Sequence, residues 1–264
     1  MTTRRSFLQQ TSGSALLRRT PRPNLVFVFS DQQSSDMLGS YGNDQIVTPN
    51  LDRFVAAGVR FNHCISSSPL CTPYRGLLLS GRHPLSSGAL SNDIRMLPGE
   101  EPYFGEVLRD AGYRMGYIGK WHLYGGDRVR PIPAGPYRYG FDHRFLSNNC
   151  TLVYDEERAY YWNEEGQKAL YGDWEPYAQA RQAEQFIDEN ADRPFALFLS
   201  WHPPHNWASG QATYGYGAPQ DLMRLYDPGK IRLRPSCEDT PVNRKIYQGH
   251  MAMCTSLDRA FGGI

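Results

Sequence analysis

Cys71, Pro73 and Arg75 occupy alternate positions of the run Cys71-Thr72-Pro73-Tyr74-Arg75, and Ser80-Gly81-Arg82 closes the apolar stretch that follows. Proline is favourable at the first position of a helix, where its missing N–H would have no partner anyway. A helix beginning there sets Cys71 at the positive end of the helix dipole, with Arg75 one turn on along the same face. An anionic nucleophile or an anionic substrate is stabilised in such a place. The pentapeptide equally suits a buried cysteine opening an ordinary helix, so its meaning depends on what the rest of the chain brings to it.

Three apolar segments end on groups able to do chemistry. Asn24-Leu25-Val26-Phe27-Val28-Phe29 leads into Ser30-Asp31-Gln32, Arg114 to Ile118 leads into Lys120-Trp121-His122, and Phe195 to Leu199 leads into His202-Pro203-Pro204-His205. Singly, each has a plain alternative: Asp31 as a turn cap, Lys120 as a solvated charge, His122 as a satisfied packing histidine. His202 and His205 suit turn positions in a proline-rich loop, and His63 and His250 read as structural. Jointly they say more, because sites in open parallel sheets form at the carboxyl ends of strands. A carboxylate, an ammonium and imidazoles at three such ends converge on one crevice, which points to an enzyme.

The elements that must position these groups follow from periodicity. The unalternating run 24–29 predicts a strand buried on both faces, as in a parallel sheet. Thr48-Pro49 predicts a short helix with Leu51, Phe54 and Val55 on one face, closed by Gly58. Phe104, Val107, Leu108 and Ala111 predict a helix stopped by Gly112. Residues 125–174 are aromatic and turn-rich without clear periodicity, and read as insertions over the sheet. A helix over 175–190 presents Tyr177, Ala180, Ala183 and Ile187. A last helix over 242–261 turns Tyr247, Cys254, Leu257 and Phe261 inward. Strands alternating with helices predict an α/β fold, a doubly wound, mostly parallel sheet with helices on both faces.

Composition narrows the class. The chain has 264 residues, enough for one sizeable α/β core, and 28 basic against 27 acidic side chains give no case for nucleic acid as a bulk partner. No stretch approaches the about 20 apolar residues of a membrane span. The five cysteines form no C-x-x-C pair, which argues against zinc and against a full disulfide framework. Thr3-Arg4-Arg5-Ser6-Phe7-Leu8-Gln9 reads either as a twin-arginine export signal, implying a periplasmic or exported protein, or as a disordered basic tail on a cytoplasmic one. Residues 1–22 are set apart from the catalytic domain, 23–264, on either reading.

Taken together, four motifs in order resemble the type I, formylglycine-dependent sulfatases of the alkaline-phosphatase-like superfamily: Asn24 to Asp31, Cys71 to Arg75, Gly119-Lys120-Trp121-His122-Leu123, and Ser200-Trp201-His202-Pro203-Pro204-His205. Tyr247 to Gly262 also resembles the helix preceding the family's second metal-binding motif. The resemblance implies that Cys71 is oxidised to formylglycine by a sulfatase-maturing enzyme. It implies that Asp31, Gln32 and the modified Cys71 ligate a divalent metal, Ca2+ or Mg2+. Arg75 would hold the nucleophile, while Lys120, His122 and His205 would bind sulfate oxygens and assist the leaving group. Gln32 stands where the family often has a second aspartate, which predicts a weaker metal site.

The chain reaches Ile264 without an S-D-H-G or S-D-N-G motif, so the expectation is an N-terminal portion of a sulfatase with little activity by itself. The substrate expected is a sulfate ester, with a sulfated carbohydrate slightly favoured. Tyr137, Tyr160, Trp162, Trp174, Trp207 and Tyr214 are candidates to stack on sugar rings or to pack their own loops. A phosphonate or phosphate-ester hydrolase of the same superfamily is the enzymatic alternative, and a non-catalytic remnant binding sulfated glycans is the other.

Overall fold

A computed structural model describes residues 22–207 and 215–264. Tyr214 and all but Arg22 of the N-terminal segment lie outside the described residues. One sheet holds six strands: β1 (Leu25–Ser30), β2 (Arg114–Lys120), β3 (Arg144–Asn148), β4 (Tyr160–Trp162), β5 (Lys168–Leu170) and β6 (Phe195–Trp201). Their order is β1-β6-β2-β3-β4-β5. The first four in that order are parallel, and β4 and β5 add an antiparallel margin. The helices are α1 (Pro49–Ala57), α2 (Cys71–Ser80), α3 (Pro84–Ser87), α4 (Phe104–Asp110), α5 (Glu175–Glu189), α6 (Gln220–Met223) and α7 (Pro241–Phe261).

The central strands are apolar on both faces because both faces are covered. Met115, Tyr117, Ala196 and Phe198 point one way and pack with Leu79 of α2, Tyr113, Trp121 and Phe141. Ile118, Phe195, Leu197 and Leu199 point the other way and meet Ala180, Ala183 and Phe186 of α5 and Leu257 and Ala260 of α7. Each fully buried Leu or Phe here contributes roughly 1.5–3 kcal/mol. The doubly wound α/β architecture expected from the alternation of elements is therefore the one found.

Three local expectations differ from the structure. First, β1 is not buried on both faces: among the described residues it pairs only with β6, and Val26 and Phe27 stay 45% and 37% exposed. An edge strand has a neighbour on one side, and an apolar run does not reveal which strand will be the edge. Second, residues 125–174 are not merely insertions, since they contain β3, which extends the parallel sheet beside β2. At five residues, Arg-Phe-Leu-Ser-Asn is too short and too mixed to show a period. Third, the apolar stripes of α1 and α4 are only half covered: Phe54, Phe104 and Val107 are exposed. What holds α1 is polar. The fully buried Asp258 of α7 accepts from the Leu51 N–H at 2.8 Å and from Asn50 Nδ2 at 3.0 Å, capping the first turn of α1.

Candidate functional site

Because β1, β6 and β2 are adjacent and parallel, their carboxyl ends open side by side, and α2 starts above them. Asp31 follows β1, with its N–H on the Trp201 carbonyl of β6 at 3.2 Å. Gly119 sits at φ +104°, where a Cβ would come 2.1 Å from the Ser200 carbonyl oxygen. Only glycine permits that approach of the β2 and β6 ends, and Lys120 follows at once. The helix carrying the cysteine begins at Cys71 itself, two residues earlier than the proline position suggests. Pro73 then lies in the first turn, where its missing N–H still costs nothing. The adjacent Thr72 N–H is received by Asn92 Oδ1 at 3.0 Å, and Thr72 Oγ1 donates to the His122 carbonyl at 2.7 Å.

These strand ends bring four of the expected residues together. Lys120 Nζ lies 2.6 Å from Asp31 Oδ2 and 3.5 Å from Cys71 Sγ, and Cys71 Sγ lies 3.5 Å from Asp31 Oδ2. Arg75, one helical turn from Cys71, reaches the same carboxylate oxygen at 3.4 Å. Its other terminal nitrogen donates to the Lys120 carbonyl and to Ser200 Oγ, both at 2.7 Å, and approaches Tyr117 Oη at 3.3 Å. The guanidinium thus clamps α2 to the ends of β2 and β6 as well as carrying charge into the site. Two cations against one carboxylate leave the pocket net positive. Burial works against ionised Asp31, but Lys120 and Arg75 outweigh it and hold the carboxyl well below the usual range.

The histidines divide. His122 is buried on the Lys120 side, its Nε2 3.1 Å from Asp93 Oδ1. Burial, then Lys120 and Arg75, push its pKa down to about 4, with Asp93 opposing. His205 is half-buried. Its Nδ1 donates to the Asn206 carbonyl at 2.7 Å, and burial lowers its pKa, with Asp31 and Lys120 close enough to act on it. Gln32 is exposed, takes a left-handed φ of 68°, and makes no side-chain hydrogen bond among the described residues.

Several participants were not singled out from the sequence. Asp93 bridges His122 to Arg128, which it meets at 2.8 and 2.6 Å. Glu175 at the start of α5 holds His202 through Oε1–Nδ1 at 2.8 Å, both residues fully buried, with Gln179 donating to the same oxygen at 2.9 Å. Burial pushes the Glu175 carboxyl up and the His202 imidazole down. Local sequence carries no signal for either contact, since each joins segments 27 to 35 residues apart. Of the aromatic residues that could stack on sugar or pack their own loops, Trp174 and Trp207 pack with Tyr154 and Met253, and Tyr160 is likewise buried. Trp174 and Trp207 also line a cleft of about 640 Å³, together with Asp155, Glu156 and Glu157.

The donor set suits one of the two groups that the resemblance implies and not the other. A hydrated formylglycine fits Cys71: oxygens replacing sulfur would find a cationic donor in Lys120 and an acceptor in Asp31, both within 3.5 Å of Sγ. A calcium ion does not fit the described residues alone. Calcium takes six to eight oxygens, whereas the site offers Asp31, already shared by two cations, and the oxygens a modified Cys71 would bring, and no group of three His, Cys, Asp or Glu side chains is arranged for a metal among the described residues.

A doubly wound α/β sheet with a cysteine-headed helix over a cationic crevice at its strand ends defines a class of α/β proteins whose ligand site opens at the carboxyl ends of parallel strands. Comparison with known proteins makes the assignment narrower. The Sulfatase family model matches residues 23–228. The chain is 32% identical over 246 residues to the ulvan-active sulfatase of Formosa agariphila, covering 91% of this chain and 46% of that protein. It is 33% identical over 235 residues to the uncharacterized sulfatase YidJ of Escherichia coli K12, covering 84% of this chain and 45% of that protein. Among solved structures, yidJ from Bacteroides fragilis superposes with a TM-score of 0.79 at 28% identity, over 96% of this chain and 59% of that one. The chain belongs to the sulfatase family. It spans about half the length of the curated relatives it matches.

Proposed function

We propose that this chain carries the nucleophile-bearing part of a sulfuric ester hydrolase, with Cys71 the residue matured to formylglycine. One observation carries the proposal: the Cys71 sulfur lies within 3.5 Å of both the Lys120 ammonium and the Asp31 carboxylate, in a net positive crevice at a helix start. Formylglycine supplies, as its hydrate, one hydroxyl to attack sulfur and a second whose deprotonation lets sulfate leave. A sulfate monoester rings its sulfur with oxygens, so the protein must offer cations and a proton for the departing alcohol. Lys120 and Arg75 are the cations. His122 and His205 line the pocket from two strand ends, and His205, less buried with Nε2 free of its Asn206 bond, is the residue we assign to proton exchange with the leaving oxygen. Of the expected metal ligands, Asp31 and Cys71 lie inside the cluster and Gln32 lies outside it; a divalent metal there would need ligands beyond the described residues.

A sulfated polysaccharide is the proposed substrate class, supported by the name of the ulvan-active relative. The test co-produces the chain with a sulfatase-maturing enzyme and measures the mass of the peptide containing Cys71, alongside turnover of sulfated oligosaccharide, aryl sulfate and phosphate esters. An aldehyde at position 71 is expected, with any sulfate release lost in Cys71→Ala. A thiol that persists despite an active maturing enzyme sinks the proposal, and preference for phosphate esters reassigns the chain to phosphoryl chemistry. The N-terminal export signal, if residues 1–22 act as one, would send the chain to the periplasm; fractionation of a tagged chain tests that separately.

A further inference from the structure

Four non-glycine residues among those described adopt positive φ: Gln32, Asp93, His122 and Tyr139. Two of them, Asp93 at 64° and His122 at 55°, are hydrogen-bonded to each other at 3.1 Å. Left-handed backbone is uncommon outside glycine, and a histidine there persists only where its surroundings over-determine it. The surroundings here do so. The His122 N–H bonds the Asn149 carbonyl, its carbonyl accepts from Thr72 Oγ1, and Asn149 also pins the 124–127 turn through the Tyr124 N–H and the Gly125 carbonyl. Asn92, beside Asp93, caps the helix that bears Cys71. One short loop therefore secures both the nucleophile helix and the His122 ring.

We propose that Asp93 is a positioning residue: its carboxylate, gripped by Arg128 through two nitrogens, fixes the His122 ring by Nε2 and leaves Nδ1 as the ring atom available to a bound substrate. The His122 Nδ1 is buried and has no hydrogen-bond partner among the described residues. With Nε2–H donated to Asp93, a neutral ring presents Nδ1 as a lone pair, an acceptor for a substrate hydroxyl rather than the donor to sulfate oxygens expected of His122. The low pKa of His122 agrees with the neutral ring, and Lys120, Arg75, Arg128 and Asp93 are the charged groups that face it. Arg128 has a share in this beyond charge. Its paired hydrogen bonds, Nε and Nη2 on the two carboxylate oxygens, stop the Asp93 carboxylate from rotating away. Asp93 and Arg128 are each more than one-third exposed or close to it, so the pair contributes little to global stability and its removal reads out position. The placement of Nδ1 rests on the geometry alone; only its use by substrate rests on the sulfatase reading.

The test is nitrogen-resolved NMR of the imidazole rings in the 264-residue chain near neutral pH. The wild type is expected to show His122 as one tautomer, Nε2 protonated with a hydrogen-bonded, slowly exchanging proton. Asp93→Gly keeps a backbone that φ 64° suits and removes the acceptor, so that proton signal is lost and the ring samples both tautomers. Asp93→Asn retains an acceptor oxygen and is expected to rescue the single tautomer, and Arg128→Met to broaden it. Unchanged His122 signals in Asp93→Gly overturn the proposal, as does an Nδ1-protonated ring in the wild type. Neither outcome bears on Cys71 maturation, which the peptide mass reads independently.

Discussion

Removing the Asp31 carboxylate while keeping its shape tests the electrostatic logic of the crevice most directly. In Asp31→Asn, Lys120 (fully buried) and Arg75 (3% exposed) face each other with no anion between them. Breaking a buried pair in this way costs about 3–5 kcal/mol. Lys120→Met is milder, since Asp31 keeps Arg75 at 3.4 Å; about 1.5–3 kcal/mol is expected for the lost charged hydrogen bond. The double variant should be more stable than the sum of the two by about 0.5–3 kcal/mol, because the second change removes the cation that the first left orphaned. Urea unfolding measures all three, and for a chain of this size the Asp31→Asn loss corresponds to a Tm drop of roughly 6–20 °C. Sulfate should selectively restore Asp31→Asn, by about 2.7 kcal/mol at one hundred times its Kd; Lys120→Met controls for the general effect of the salt. The pH sign follows from the depressed folded pKa of Asp31: its contribution is full above the unfolded value of about 3.9 and fades as pH falls toward the folded one. Asp31→Asn should lack that acid limb. An Asp31→Asn chain as stable as the wild type, or strictly additive single variants, would refute the reasoning.

Two further outcomes are expected. Burial raises the folded pKa of Glu175, so its share of stability falls as pH rises above the unfolded value; Glu175→Gln should remove that slope at little cost, whereas Glu175→Leu strands His202 Nδ1 and should cost about 1–3 kcal/mol in urea unfolding. The open edge of β1, with Val26 and Phe27 exposed, should make the isolated chain self-associate; light scattering should show less association for Phe27→Lys, and no change would mean that the edge is not the adhesive surface.

The motifs were legible because each is local: a strand ending in a carboxylate or an ammonium, a cysteine four residues before an arginine. Parallel order was legible too, since continuous apolar runs alternating with helices have few other solutions. What the residues around Cys71 actually do was not. Arg75 reads as a site charge in the sequence, yet most of its hydrogen bonds tie α2 to the ends of β2 and β6. Asp93, Arg128 and Glu175 carry no motif, because their partners are contributed by other loops and helices and their meaning is a matter of distance.

The sequence by itself determined which chemistry is on offer and at which strand ends, because side-chain type and position relative to an apolar run are properties of a few consecutive residues. Only the tertiary structure decided how charge is distributed among those groups. It made Asp31 a counter-ion for two cations, left Gln32 outside the cluster, fixed one ring nitrogen of His122 and freed the other, and placed β1 at an edge. Those outcomes depend on burial and on approaches of 2.6 to 3.5 Å between segments far apart in the chain, where a shift of one ångström changes which interaction wins.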